Sequence, residues 1–178
     1  MANTMATRGK KLIPEEIAYI AGLFDGEGCV NIYKIDTPKT YAGGERKKYP
    51  RYELTTSIYN CNKDVLSWLH ETFGGYLQTR HRYKKPEQVE LGKWKKSYAW
   101  KLSANQAKMF LEMIVANMRI KKQQAQLAIE FQTARSKKRN RCNPITPQEN
   151  NLFRKCWEQM KELNQKGALP ATTKRGDL

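Results

Sequence analysis

Side chains suited to gripping a polyanion recur along this chain at the spacing of β-strands. Gln78, Arg80, Arg82 and Lys84 alternate along one edge of YLQTRHRYKK, a denser positive row than solubility requires. In RYELTTSIYN, Tyr52, Leu54, Thr56 and Ile58 share one face, while Arg51, Glu53, Thr55 and Ser57 share the other. Arg matches guanine edges in a DNA groove and Ser or Thr several bases, so the second face has the groups for base contact; a solvated sheet face has the same pattern. In CVNIYK, Val30 and Ile32 turn one way and Cys29, Asn31 and Tyr33 the other, where a ligand can meet them. Lys39, Arg46, Lys47 and Lys48 stud a long turn, IDTPKTYAGGERKKYP, at an exposed tip. The balance of charge agrees: 178 residues carry 33 Lys plus Arg against 17 Asp plus Glu, a formal net charge of +16. Such an excess calls for a polyanion, and nucleic acid is the leading partner for a chain whose 10% aromatic content marks it as folded.

The elements that must position these groups follow from periodicity. Pro14 suits a first helical position and Glu15 and Glu16 the positive end of the helix dipole. Ile17, Ile20, Ala21 and Phe24 then recur as one buried face, and Ala18, Gly22 and Gly26 form a second ridge with almost no side chain. Gly within a helix costs about 1 kcal/mol relative to Ala, so the ridge implies a second helix backbone packed on it. After Asp25 the pattern turns from glycine-punctuated turn to strand, leaving Glu27 where the helix stops. Asn62 and Asp64 open a short helix buried through Val65, Leu69 and Phe73 and closed by Gly74 and Gly75. A second strand pair follows, in which Tyr98, Trp100 and Leu102 oppose Ser97, Ala99 and Lys101, with either set free to meet solvent. A capping box from Ser103 to Gln106 predicts a helix buried through Ala107, Phe110, Leu111, Ile114 and Met118. Arg135, Lys137, Lys138, Arg139 and Arg141 form a run without an acid, either a disordered linker or a phosphate-gripping loop. Thr146, Pro147 and Glu149 cap a last helix burying Phe153, Cys156, Trp157, Met160 and Leu163. Cys29, Cys61, Cys142 and Cys156 are too scattered for a zinc knuckle and read as reduced, mostly buried small residues. No apolar run is long enough to span a membrane and the opening MANTMATRGKK lacks a signal core, so a soluble, intracellular protein is expected.

The nonapeptide IAGLFDGEG, Ile20 to Gly28, closely resembles the signature of the LAGLIDADG homing endonucleases. The resemblance covers Ile13 to about Thr133 and implies an α+β, αββαββα fold with a four-stranded antiparallel saddle for DNA and additional C-terminal helices. It divides the chain into a flexible N-terminus (1–12), an endonuclease core (13–134), a basic linker (135–145), a C-terminal helix (146–168) and a flexible tail (169–178). By the same resemblance Glu27 is the metal-binding acid, with the Gly26 carbonyl as a further ligand. Lys121, which taken alone is an ordinary solvated lysine, becomes the basic catalytic residue, and Asn60 stands where a polar residue orients the attacking water. The DNA-binding residues are then Asn31, Tyr33, Arg46, Lys48, Arg51, Glu53, Thr55, Ser57, Gln78, Arg80, Arg82, Lys84 and Lys101.

A single motif copy implies a C2 homodimer whose motif helices meet through Ala18, Gly22 and Ala21. Two Glu27 carboxylates near the two-fold axis suit Mg²⁺ or Mn²⁺, with Ca²⁺ expected to bind without supporting cleavage. The implied activity is a double-strand break with short 3′ overhangs at a long, nearly palindromic site in genomic or organellar DNA, without a membrane or small-molecule substrate. Two rivals share parts of this pattern. One is a non-cleaving DNA-binding relative or an RNA-splicing maturase; the other is an unrelated basic RNA-binding protein, disfavoured by the lack of an RNP-type aromatic motif or a GxxG loop.

Overall fold

The computed structural model describes residues 7–9, 11–36, 50–80, 96–136 and 145–165. Helix α1 (Pro14–Glu27) begins with the Ile13 amide donating to the Glu16 carboxylate at 3.0 Å. It runs directly into β1 (Gly28–Ile35), which pairs with β2 (Arg51–Asn60) in antiparallel register, Gly28 opposite Ile58 and Tyr33 opposite Glu53. Helix α2 (Lys63–Phe73) follows, capped by Asn62, whose side-chain oxygen accepts from the Asp64 and Val65 amides. Strands β3 (Tyr76–Arg80) and β4 (Ser97–Ser103) complete a four-stranded sheet of order β1-β2-β4-β3. Then come α3 (Ala104–Ile114), a 3₁₀ turn (Val115–Asn117), α4 (Lys122–Ser136) and α5 (Pro147–Gln165). The element order is the α+β arrangement expected from the sequence. No helix among the described residues is long and apolar enough to cross a membrane.

One sheet face is the core. Val30 and Ile32 of β1, Tyr52, Leu54, Thr56 and Ile58 of β2, and Trp100 and Leu102 of β4 are buried against the helices. Phe110 of α3 is the hub, with ring centroids 5.5 Å from Phe24, 5.2 Å from Phe73 and 5.2 Å from Trp100 in edge-to-face contacts. The Trp100 indole satisfies its N–H on the Gly74 carbonyl at 2.8 Å. Helix α5 belongs to the same core: Tyr52 meets Phe153, and Phe153 meets Phe131 of α4. Its capping box forms in both directions, Thr146 N–H to Glu149 and Glu149 N–H to the Thr146 hydroxyl.

Three sequence expectations change. Ser103 makes no side-chain cap, because it still pairs with Thr55 as the last residue of β4. The chain turns into α3 through Ala104 at φ 50, a left-handed conformation. The buried stripe does not run through one helix to Met118: α3 stops at Ile114 and the 3₁₀ turn delivers Met118 to the core. Helix α4 extends to Ser136, taking in the first residues of the stretch read as linker, and the half-buried Arg135 lies near Arg51 and Glu53. Cys156 is buried and Cys29 half-buried, but Cys61 is exposed; Cys142 lies outside the described residues.

Gly75 sits at φ +84 between α2 and β3, and a Cβ there would lie 2.4 Å from the Lys101 carbonyl oxygen. Both the backbone conformation and the contact exclude a side chain. Gly75→Ala is expected to destabilise the fold by about 2 kcal/mol or more, read as a lower urea midpoint at unchanged m-value. An unchanged midpoint would contradict the β3–β4 register described here.

Candidate active site

Asp25 and Glu27 end the same helix but point to different places. Successive helical residues rotate by about 100°, so two residues on is nearly the opposite face. Asp25 continues the buried face of Ala21 and is 8% exposed; Glu27 is exposed. A buried carboxylate at the negative end of a helix requires donors. Asp25 finds them in the segment just before α4: Oδ2 accepts from the Arg119 and Ile120 amides at 2.6 and 3.1 Å, and Oδ1 from the Lys121 amide at 3.0 Å. Lys121 is fixed a second time, its ammonium donating to the Asp25 backbone carbonyl. Burial alone would raise the Asp25 pKa, but the three amides and the Lys121 charge outweigh it and hold it below the ordinary 3.8.

Glu27 and Lys121, far apart in sequence, are therefore brought to the same end of α1. Gly28 follows at once, with so little room that a Cβ would lie 2.4 Å from the Phe24 carbonyl oxygen. The chain enters β1 there, and Cys29 is the first residue of its polar face. Burial raises the Cys29 thiol pKa, partly offset by the Asn31 amide and the nearby Lys121 charge. Asn60 closes β2, two residues past the Gly28 partner Ile58. Its side-chain oxygen accepts from the Asn62 amide at 2.8 Å. A backbone N–H only donates, so the Asn60 oxygen is the engaged end and its amide nitrogen is the other.

The polar sheet face extends from this point. Across the strands, Cys29, Ser57, Lys101 and Tyr76 form one row, and Tyr59, Ala99 and Gln78 the next. Arg80, paired with Ser97, lays its guanidinium 4.7 Å from the centre of the Tyr59 ring. Arg51 and Glu53 form an ion pair at 3.0 Å. Thr55 is half-buried, and Ser57 is only 5% exposed between longer neighbours. Lys101 thus lies on the polar face and Trp100 and Leu102 on the core face, which resolves the orientation of β4. Tyr59 and Tyr76 are additions to the face; the alternation of β2 and β3 already carried that signal. Asn31 is tied within the chain, accepting from Asn164 and donating to Cys29 Sγ. Arg46, Lys48, Arg82 and Lys84 lie outside the described residues.

On the outer side of α1, Ala18, Gly22 and Gly26 are exposed, and a Cβ on either glycine would meet nothing within 4 Å. Ala21 does not share that surface: it is 0% exposed, packed in the chain's own core, because its position is the one Phe24 and Asp25 continue. Tyr19, 53% exposed, flanks the stripe, and Ile120, 73% exposed, is held near its far end by Asp25.

Replacing the Asp25 carboxylate tests whether its charge holds this corner. Asp25→Asn confronts three amide donors with a neutral group and is expected to cost about 2–4 kcal/mol at neutral pH. A depressed folded pKa means that the stabilisation is present above the unfolded value and is lost as pH falls through the folded one. The difference between wild type and variant should therefore shrink below about pH 4, in urea titrations of both proteins across pH. A constant difference would assign the effect to shape rather than charge.

No protein-family model and no curated protein matches the sequence. Solved structures do match in fold. The homing endonuclease I-CvuI in complex with its target superposes with a TM-score of 0.62 at 15% identity, over 92% of this chain and 87% of that one. The archaeal intron-encoded homing endonuclease I-Vdi141I, complexed with DNA, gives 0.62 at 14% over 92% and 89%. The I-SmaMI LAGLIDADG homing endonuclease bound to cleaved DNA gives 0.54 at 16%, over 90% of this chain but 47% of that one. With the nonapeptide Ile20–Gly28 forming the end of α1 and the polar sheet face starting beside it, the chain has the fold of these homing endonucleases.

Proposed function

We propose that the chain is a homing-type DNA endonuclease working as a C2 homodimer, which makes a divalent-metal-dependent double-strand break with short 3′ overhangs in a long, nearly palindromic target. The observation that carries this reading is the junction at the end of α1, where an exposed acid and a doubly anchored lysine adjoin a polar, basic sheet face. The neighbours in fold are homing endonucleases bound to DNA, I-CvuI in the presence of calcium. The net charge of +16 supports the same partner.

The donor set fits a hard divalent ion only in part within one chain. Among the described residues no group of three His, Cys, Asp or Glu side chains gathers to hold a metal. One chain offers the Glu27 carboxylate and the Gly26 carbonyl, one of the last-turn carbonyls without a helical partner. Mg²⁺ suits such a site, since it binds through one or two carboxylates plus phosphate oxygens and keeps several waters. When bound, Mg²⁺ or Mn²⁺ would polarise the scissile phosphate and acidify the attacking water. The chain's own residues do the rest. Lys121, immobilised by Asp25, stabilises charge developing on the phosphate, and the Asn60 amide nitrogen donates toward the water or a phosphate oxygen. Ca²⁺, with looser geometry, should occupy the site without supporting cleavage.

The second active site comes from the second chain. Gly22 and Gly26 have no contact within their own chain that forbids a side chain, so the helical cost of Gly has no local explanation. A second α1 lying on Ala18, Gly22 and Gly26 supplies one, and brings two Glu27 residues together. I-SmaMI, about half of which this chain spans, is long enough to hold two such units in one polypeptide.

Selection of cleaved sites from a randomised duplex pool with Mg²⁺ tests the activity, and no enrichment in any divalent metal would remove it. On a selected target, Glu27→Gln is expected to bind within a few-fold of wild type and to cleave at least a thousand-fold more slowly; rapid cleavage would move the site elsewhere. Gly22→Leu is expected to sediment as a monomer, because about four added heavy atoms occupy the space of the partner backbone. A Gly22→Leu protein that remains dimeric and active would place the interface on another surface.

A further inference from the structure

Strand β3 lies at the edge of the sheet and β2 inside it, with β4 between them, yet the side chains of Arg80 and Tyr59 meet across that distance. Tyr59 pairs with Ala99 and Ala99 with Gln78, while Arg80 pairs with Ser97. The contact therefore runs diagonally over two strand spacings, about 10 Å sideways. It crosses β4 between Ser97 and Ala99, two side chains too short to obstruct it. Ala99 is 0% exposed although it lies on the outward face and outside the hydrophobic core, so longer side chains close over it. Arg80 ends with its guanidinium carbon 4.7 Å from the centre of the Tyr59 ring. Attraction to the face of a ring spends no hydrogen bond, and the N–H donors of the guanidinium stay available. Arg51 on the same sheet face differs: it is paired with Glu53 at 3.0 Å, whereas Arg80 has no carboxylate partner among the described residues.

We propose that Tyr59 is a specificity-positioning residue: its ring draws Arg80 from the edge of the sheet over its interior and so makes it a reader of guanine rather than a phosphate contact. Phosphates border a DNA groove and base edges line its floor. A cation at the rim of a sheet lying in the groove meets the first, and one held over the middle meets the second. The guanidinium fork fits guanine O6 and N7 in bidentate fashion, and the ring beneath it restricts the orientations of the fork before contact. The place of the pair selects the base pair it reads. Tyr59 stands between Asn60 and Ile58, the partner of Gly28, so the pair sits at the end of the sheet next to Glu27. The guanine therefore lies at the inner end of each half-site, close to the scissile phosphate. The inference rests on the DNA-cleaving reading above, and the experiment separates the two.

Wild type, Tyr59→Leu, Tyr59→Phe and Arg80→Gln are each used to select cleaved duplexes from one randomised pool with Mg²⁺, and their binding to a target selected by wild type is measured against salt in Ca²⁺. Wild type should favour guanine by about ten-fold or more at one inner position per half-site. Tyr59→Leu and Arg80→Gln should each relax that preference by about five-fold or more and leave the other positions within about two-fold. Tyr59→Phe keeps the ring and should keep the preference. Salt dependence supplies a readout that a loosened sheet would not reproduce. Arg80→Gln should leave the slope of log affinity against log salt nearly unchanged, because Arg80 holds no phosphate. Tyr59→Leu releases Arg80 to the rim and should steepen the slope by about 0.9. An Arg80→Gln slope shallower by about 0.9 overturns the inference. So does a Tyr59→Leu profile like wild type, a Tyr59→Phe profile as relaxed as that of Tyr59→Leu, or relaxation spread over the whole site. Were Tyr59→Leu unable to fold, Ser97→Leu, which obstructs the crossing and leaves the ring in place, should relax the same position, and an unchanged profile there overturns the inference. Absence of any selected site with wild type would overturn the endonuclease reading, and this inference with it.

Discussion

The corner at the end of α1 depends on one carboxylate, that of Asp25. Asp25 collects the amides of Arg119, Ile120 and Lys121, the groups immediately before α4. These lie at the positive end of α4, where amides lack helical partners, while Asp25 stands at the end of α1 where carbonyls do. One side chain therefore satisfies the start of one helix from the end of another and joins two macrodipoles in their attractive sense. The consequence for function is positional. A lysine on a surface loop has about 2 kcal/mol of rotamer entropy to lose on being held in place. Lys121 has its amide on the Asp25 carboxylate and its ammonium on the Asp25 carbonyl, so most of that ordering is already complete within the chain.

The two acids of the motif thus divide by geometry rather than by chemistry. Asp25 and Glu27 differ by one methylene, yet one faces buried amides and the other solvent because the helix turns about 200° between them. The stripe between these two faces explains the glycines. Gly22 and Gly26 border open space on a helix whose other side carries Phe24, Ile20 and Ala21 in the core. In a monomer such residues only weaken the helix; against a second backbone they permit close approach.

Much of the architecture was legible because it is local. The alternation of β1 and β2 assigned each residue to its face, and the 3.6-residue periods of α1 and α5 identified their buried sides. Local rules failed where the neighbouring element overrode them. The Ser103 to Gln106 pattern is a good capping box in isolation, but Ser103 is drawn into the ladder opposite Thr55, and Ala104 takes the turn instead. The identical logic succeeded at Thr146, which no strand claims. Ala21 was assigned both to the core and to the dimer interface, and only the core position is compatible with its place one turn before Asp25. The role of Asp25 itself was missed, since its partners lie 94 to 96 residues away. A signal did exist: an acid four residues after a buried alanine must be buried too, and a buried acid must have donors.

The same corner leaves one charge uncompensated, and that imbalance bears on why an ion would bind. The last turn of α1 gathers carbonyl dipoles of one sign, to which Asp25 and Glu27 add two formal negative charges. Asp25 is neutralised in effect by three amides and by the Lys121 ammonium at its carbonyl. Glu27 has no hydrogen-bond or ion-pair partner among the described residues and stands at the unfavourable end of the dipole. A second chain packed on the glycine stripe would bring a second such carboxylate near the first, raising the repulsion further. An exposed acid at the negative end of a helix is unfavourable by a few tenths to about 1 kcal/mol, and positive charge nearby would relieve it. The helix end therefore divides its charge, with Asp25 compensated inside the fold and Glu27 left exposed.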